Sequence, residues 1–292
     1  SWHLSNDANM ADFGGFDMPL WYPTGVKNEH LSVLRSAGIF DTSHMASILV
    51  QGKDAGALIN YCLSRDISHL TPGRSAYGAF LNAKGHCIDD AIVYPLSDSS
   101  IMVCVNAGMG ETITDHLKQN TGSWIADATD VSGTLAKLDI QGPNSLKILY
   151  DLVKDPENVF DLMHYFSFKG SFDQTTAPFS RLQTDLPGVC LKDGTPVLIS
   201  RSGYSGELGF EIFINGKNAL RAWEDLVAAG QPYGITACGL GARDSLRAGA
   251  CLPLSHQDIG DWPFINHPWM FALPFSKDKK SFTKSFIGDS AL

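Results

Sequence analysis

Asp89 and Asp90 stand side by side at the head of the apolar run Ala91-Ile92-Val93-Tyr94. Carboxylates rarely enter a core strand unless they are paired or put to work. The stretch Cys87 to Tyr94 is β-branched and aromatic enough to form a strand. Side chains alternate across a strand, so the two acids are expected on opposite faces, one of them toward the interior or a pocket. A carboxylate placed there can hold a cation, orient an N–H donor or exchange a proton. The alternative is a strand-start acid tied to a nearby backbone N–H.

Glu211, within Phe210-Glu211-Ile212-Phe213, repeats the anomaly. A carboxylate there suits a ring with two adjacent N–H donors, as a 2-amino-4-oxo pterin has, or it lies on the solvent face of its strand. It closes the segment Arg201 to Glu211, whose Gly203, Gly206 and Gly209 fall at every third position. That spacing is not the dinucleotide pattern, but glycine permits close backbone approach to a ligand. Tyr204 in the same segment can stack, donate a hydrogen bond or pack over a turn. Asn106, after the strand Val103-Cys104-Val105, can read donors and acceptors or simply form a turn. Arg243 and Arg247 lie one helical turn apart, and Asp244 can pair with Arg247. In Asp41-Thr42-Ser43-His44-Met45, His44 reads as structural, and Met45 as a soft apolar wall or core residue. No G-x-S-x-G elbow, phosphate loop or metal-ligand cluster stands out.

These residues need a scaffold. Helical spacing of Val26, Leu31 and Leu34 predicts a helix that stops at Gly38. Ser47 to Val50 reads as a strand, and Asp54 as the cap of a helix through Cys62. Tyr77 to Tyr94 reads as a hairpin turning at Asn82 to Gly85, followed by a second hairpin into Ile101–Val105 through the turn Ser97 to Ser100. Helices are expected over Glu111–Gln119, from Asn144, over Asn218–Ala229 and over Leu240–Ala248. Strands are expected over Leu135–Ile140, Pro196–Ser200 and Phe210–Ile214. Lys169 to Gly194, polar and rich in turn formers, reads as a surface excursion. The mixture lacks regular β-α alternation, which predicts an α+β fold.

With 292 residues, 44% hydrophobic and 18% charged, the chain is globular material for one large domain or two fused ones. Its net charge of −9 argues against a nucleic-acid backbone as the main partner. The six cysteines have no C-x-x-C spacing and read as buried thiols of a reducing compartment. With no membrane-length apolar stretch and no signal-peptide pattern, a cytoplasmic location and no membrane partner are expected.

Several stretches, taken in order, are similar to one family. They are Asp12 to Pro19, Gly38 to Met45, Ile88-Asp89-Asp90, Val105-Asn106-Ala107, Gln141-Gly142-Pro143, Arg201 to Glu211, Gly239 to Asp244 and Phe286-Ile287-Gly288. The chain resembles the glycine cleavage system T-protein family, the tetrahydrofolate-dependent aminomethyltransferases. The resemblance implies an α+β core of two interlocked lobes around a central folate-binding channel. It implies a core over residues 1–275, with 276–292 starting a linker toward a C-terminal β-barrel that is absent here. The implied reaction moves a one-carbon unit from an aminomethyl group on the lipoyl arm of H-protein to N5 of tetrahydrofolate, the cofactor. Methylene-tetrahydrofolate, ammonia and the reduced lipoyl arm are the products.

By the same resemblance, Asp90 matches the catalytic acid near N10 and the transferring carbon. Glu211 would bind the pterin N–H edge. Arg243 would bind folate or brace Glu211, and Met45, Tyr77, Asn106 and Tyr204 would line the channel. The chain departs from the family at Arg247-Ala248-Gly249-Ala250-Cys251, where an expected acid is missing, and at Leu252 to Ile259. The segment Trp262–Trp269 is unusually aromatic. These departures keep two alternatives open: a folate-dependent demethylase of methylated amines or sulfonium compounds, and a non-enzymatic folate-binding protein of iron–sulfur assembly. The Lys-Gly-Cys-Tyr-type motif of the latter branch is not found.

Overall fold

The computed structural model describes residues 1–175 and 177–292. It divides into two compact units, each assembled from three separate stretches of chain. The first comprises Ser1–His44, Gly133–Ser180 and Pro187–Leu252; the second comprises Met45–Ser132, Arg181–Leu186 and Pro253–Leu292. The α+β expectation holds, since sheets and helices mix without a doubly wound order.

The first unit is built on a seven-stranded sheet. Its middle strand Leu135–Gln141 runs antiparallel between Gly209–Asn215 and Ala37–Asp41, and Ile235–Ala237 adds in parallel beside Ala37–Asp41. Ile39, Leu138, Ile140, Ile199 and Ile212 of the sheet share one core with Ile148 and Leu149 of helix Ser145–Leu152 and with Trp223 and Leu226 of helix Ala219–Gly230. A two-stranded hairpin, Asn9–Phe13 with Phe16–Trp21, completes this unit.

The second unit is a five-stranded antiparallel sheet. Ala76–Leu81 pairs with Cys87–Ser97, which pairs with Ser100–Val105, then Ala46–Gln51 and Asp127–Asp130. Both expected hairpins are present. In the first turn Asn82 accepts from the Lys84 N–H through its side chain and from the Gly85 N–H through its carbonyl, each at 2.9 Å. Ile48, Val93 and Val103 pack against Leu58 and Ile59 of helix Ala55–Cys62 and Ile113 and Leu117 of helix Gly110–Gln119. Among the described residues no helix is long and apolar enough to cross a membrane.

Several local expectations are corrected. The helix that starts at Val26 ends at Arg35, and Gly38 lies inside the strand Ala37–Asp41. A Cβ at Gly38 would overlap Val33 Cγ2 and stand 2.8 Å from Cys238 Sγ, so the glycine serves close packing and not helix termination. Leu34 of that helix is exposed, and its inward face carries Glu29 and Val33. Glu29 is buried because its carboxylate accepts the backbone N–H of Tyr22 at 2.6 Å and of Gly239, just ahead of helix Leu240–Gly249, at 2.9 Å.

Asp54 precedes its helix but does not cap it with its side chain, which accepts the Ile125 N–H at 2.8 Å. The stretch Lys169–Gly194, in which Thr176 lies outside the described residues, is more than a surface excursion. Phe172, Phe179, Leu182 and Val189 are buried, and Phe172 stacks on Phe179 at 4.6 Å. Its aromatic and aliphatic residues are spread singly between turn formers, so no periodic signal marks them. The cysteines are free thiols, but Cys251 is exposed where burial was expected.

Candidate functional site

In the second unit the chemistry gathers at one end of the sheet. Asp90 pairs with Ala79 in register, which sets Tyr77 on the diagonal of the same face. Tyr77 donates its hydroxyl hydrogen to Asp90 Oδ2 at 2.9 Å. The last pair of the next ladder is Ala91 with Val105, so Asn106 lies just beyond it. Its side-chain amide donates to Asp90 Oδ1 at 2.6 Å and to Asp89 Oδ1 at 2.8 Å, and its backbone N–H donates to Asp89 Oδ2 at 2.9 Å. Alternation predicted the two acids apart. A residue off the end of the ladder reaches both, and joins them.

Asp89 is fully buried and also accepts from Ser255 Oγ at 2.9 Å, with His256 Nε2 at 3.4 Å. Asp90 keeps part of its surface accessible. Burial, and then the charge of Asp89, push the Asp90 carboxyl up to about 6 against the hydrogen bonds from Asn106 and Tyr77. Burial raises Asp89 as well. Tyr77 packs against Trp269 at 5.2 Å and Phe271 at 6.0 Å, so an aromatic wall adjoins the acid. Met45 is half-buried immediately before Ala46, which pairs with Val105, and so stands at the same end of the sheet. Four of the residues singled out in the sequence, Met45, Tyr77, Asp90 and Asn106, are thereby brought together. Such a carboxyl, partly accessible and titrating near neutrality, can exchange a proton or stabilise a developing positive charge.

In the first unit Glu211 is buried in Gly209–Asn215 directly opposite Asp139 of Leu135–Gln141. Lys137 Nζ bridges them, 2.5 Å from Glu211 Oε1 and 2.6 Å from Asp139 Oδ1. Ser202 donates to Glu211 Oε2. Arg243 Nη1 reaches Asp139 Oδ2 at 3.1 Å, and its guanidinium lies over the Tyr204 ring at 4.8 Å. Burial alone would raise Asp139, but Lys137 and Arg243 outweigh it and hold that carboxyl below its usual range. Arg247 instead pairs with Asp244, at 2.7 Å. His44 is buried edge-on to Phe13, its Nδ1 has no hydrogen-bond partner among the described residues, and burial followed by the Arg243 and Lys137 charges pushes it down to about 4.

The glycines of the Arg201–Glu211 segment admit a neighbour from the same unit. A Cβ at Gly203 or Gly209 would run into Gln141 Oε1. That side chain fastens the loop by accepting from Ser205 Oγ at 2.7 Å and donating to the Ser202 carbonyl at 3.3 Å. Lys137 and Asp139 go unmarked in the sequence reading, and Gln141 enters it only within a family stretch, with no role of its own. Their signal was polar residues at every second position of the strand Leu135–Gln141. Among the described residues no group of three or more His, Cys, Asp or Glu side chains could hold a metal ion.

Two α+β lobes, one with a hydrogen-bonded Asp–Tyr–Asn cluster and one with a buried carboxylate network, define the class to which the chain belongs. It is a member of the GCVT family: the model of the GCVT N-terminal domain matches residues 1–263. The chain is 38% identical over 257 residues to the aminomethyltransferase of Streptomyces avermitilis, covering 88% of this chain and 63% of that protein. It is 33% identical over 290 residues to the aminomethyltransferase of Staphylococcus epidermidis, covering 99% of this chain and 72% of that one. The crystal structure of glycine cleavage system aminomethyltransferase T from Bartonella henselae superposes with a TM-score of 0.82 at 29% identity, covering 99% of this chain and 71% of that chain. The chain thus spans a little under two thirds of its Streptomyces relative.

Proposed function

We propose that this chain transfers a one-carbon unit from an aminomethyl group on the lipoyl arm of H-protein to tetrahydrofolate. In that reaction the carbon loses its bonds to nitrogen and sulfur and gains bonds to N5 and N10. The two hydrogens released from folate leave on ammonia and on the lipoyl thiol, so the exchange is redox-neutral. The observation that carries this reading is Asp90, held by Tyr77 and Asn106 and titrating near 6.

Ionised Asp90 orients folate and stabilises the iminium-like carbon, an interaction strongest when the charge is greatest. Glu211 accepts from the pterin N–H edge. Arg243 binds folate or braces Glu211 through Asp139, its guanidinium held over the Tyr204 ring. Met45, Tyr77, Asn106 and Tyr204 line the folate. Holding folate and donor in line supplies much of the acceleration.

The test offers the protein tetrahydrofolate with four donors in parallel: aminomethyl-loaded H-protein, dimethylglycine, sarcosine and a sulfonium compound. Ammonia and methylene-tetrahydrofolate are expected with loaded H-protein alone. Turnover of a methylated amine or sulfonium instead assigns the chain to the demethylases. Tight tetrahydrofolate binding with no donor consumed assigns it a binding role.

A further inference from the structure

Glu211 and Asp139 face each other across one ladder; Asp139 is fully buried, and Glu211 keeps 4% of its surface exposed. Like charges directly opposite repel, and in a dry sheet the repulsion is poorly screened. The Lys137 ammonium lies between them, and its three N–H donors meet three acceptors: Glu211 Oε1 at 2.5 Å, Asp139 Oδ1 at 2.6 Å and Thr42 Oγ1 at 3.3 Å. Lys137 therefore acts on a ligand through Glu211, not by touching it.

We propose that Lys137 is a positioning residue that sets the affinity of the Glu211 carboxylate for a ligand edge bearing two N–H donors. This rests on the folate reading of the site. Lys137 holds Oε1 and Ser202 holds Oε2, which together set the plane of the carboxylate. Each carboxylate oxygen accepts more than one hydrogen bond, and two parallel acceptors match two parallel N–H groups. Without the ammonium, the Asp139 carboxylate drives Glu211 out of that arrangement.

The test compares wild type, Lys137→Met and the charge-balanced Lys137→Met/Asp139→Asn, all well below their melting temperatures. The amide introduced by Asp139→Asn retains an acceptor for Arg243. Lys137→Met should raise the Kd and KM for tetrahydrofolate by roughly tenfold or more, leave kcat within about threefold, and lose little when the donor is varied. The double variant should fold and regain most of the affinity, since a buried ion pair can be replaced without a net loss of stability. Unchanged affinity in Lys137→Met overturns the proposal. So does an equal fall in kcat, or a double variant that fails to fold or binds no better than the single. A wild-type protein that binds no tetrahydrofolate instead overturns the folate reading on which the proposal stands.

Discussion

The phenol of Tyr77 donates its hydrogen to Asp90 Oδ2 at 2.9 Å, and this bond favours the ionised carboxylate that burial and Asp89 oppose. Tyr77→Phe deletes the bond and raises the Asp90 carboxyl above about 6. A hydrogen bond to a charged group contributes ~1.5–3 kcal/mol, about one to two pH units. The acidic limb of the kcat–pH profile is therefore expected to move up by about one unit. A limb that stays in place, with Asp90 retained, contradicts the role given to the phenol.

Asp90 also links folding to pH. Its carboxyl binds a proton more tightly in the folded chain, near 6, than at its ordinary value of 3.8. Ionising it in the fold therefore lowers stability: the penalty is absent below 3.8, grows through the interval and is complete above about 6. Two units correspond to ~3 kcal/mol. Asp90→Asn should be more stable than wild type at pH 8 by up to that amount and show no advantage at pH 3.5, as read by denaturant unfolding. A variant less stable at pH 8 contradicts this.

His44 has the opposite sign. Its folded value, about 4, lies below its ordinary 6.5, so the unfolded chain takes up the proton first. Stability is full above 6.5 and falls as pH drops toward 4, by ~3 kcal/mol across the window. His44→Leu removes a buried nitrogen that has no partner among the described residues and should flatten this slope. Unfolding free energies at pH 7.5 and 4.5 give the comparison, and an unaltered slope places the titration elsewhere.

The contact between Gly209 and Gln141 predicts a coupled pair. Gly209→Ala drives a methyl group into Gln141 Oε1 and should cost ~1–3 kcal/mol by overpacking. In a Gln141→Ala background the same change should cost much less, because the obstructing atom is gone. Strictly additive losses in the double-mutant cycle contradict the steric account.

Much of the Asp90 cluster was legible because it lies on local structure. Asp89 and Asp90 break an apolar strand, a short turn fixes the hairpin that brings Tyr77 alongside, and Asn106 follows the next strand directly. The network around Glu211 was not legible. Lys137 and Asp139 make sense only once Leu135–Gln141 is known to lie between Gly209–Asn215 and Ala37–Asp41, a pairing that joins stretches far apart in sequence. The same holds for Glu29, whose partners are the Tyr22 and Gly239 backbone groups: a buried acid on an apparent helix surface leaves no periodic signature. The glycine spacing from Gly203 to Gly209 is visible in the sequence, but the neighbour it accommodates, Gln141, comes from another strand.

In the proposed reaction an ionised Asp90 drives one-carbon transfer to tetrahydrofolate. Its most direct test is the single-turnover rate of methylene-tetrahydrofolate formation from aminomethyl-loaded H-protein by wild type and Asp90→Asn, with tetrahydrofolate Kd measured alongside. A rate lower by more than roughly tenfold with Kd nearly unchanged is expected, a modest demand on one charged contact to the reacting carbon. Equal rates in the two proteins would contradict it.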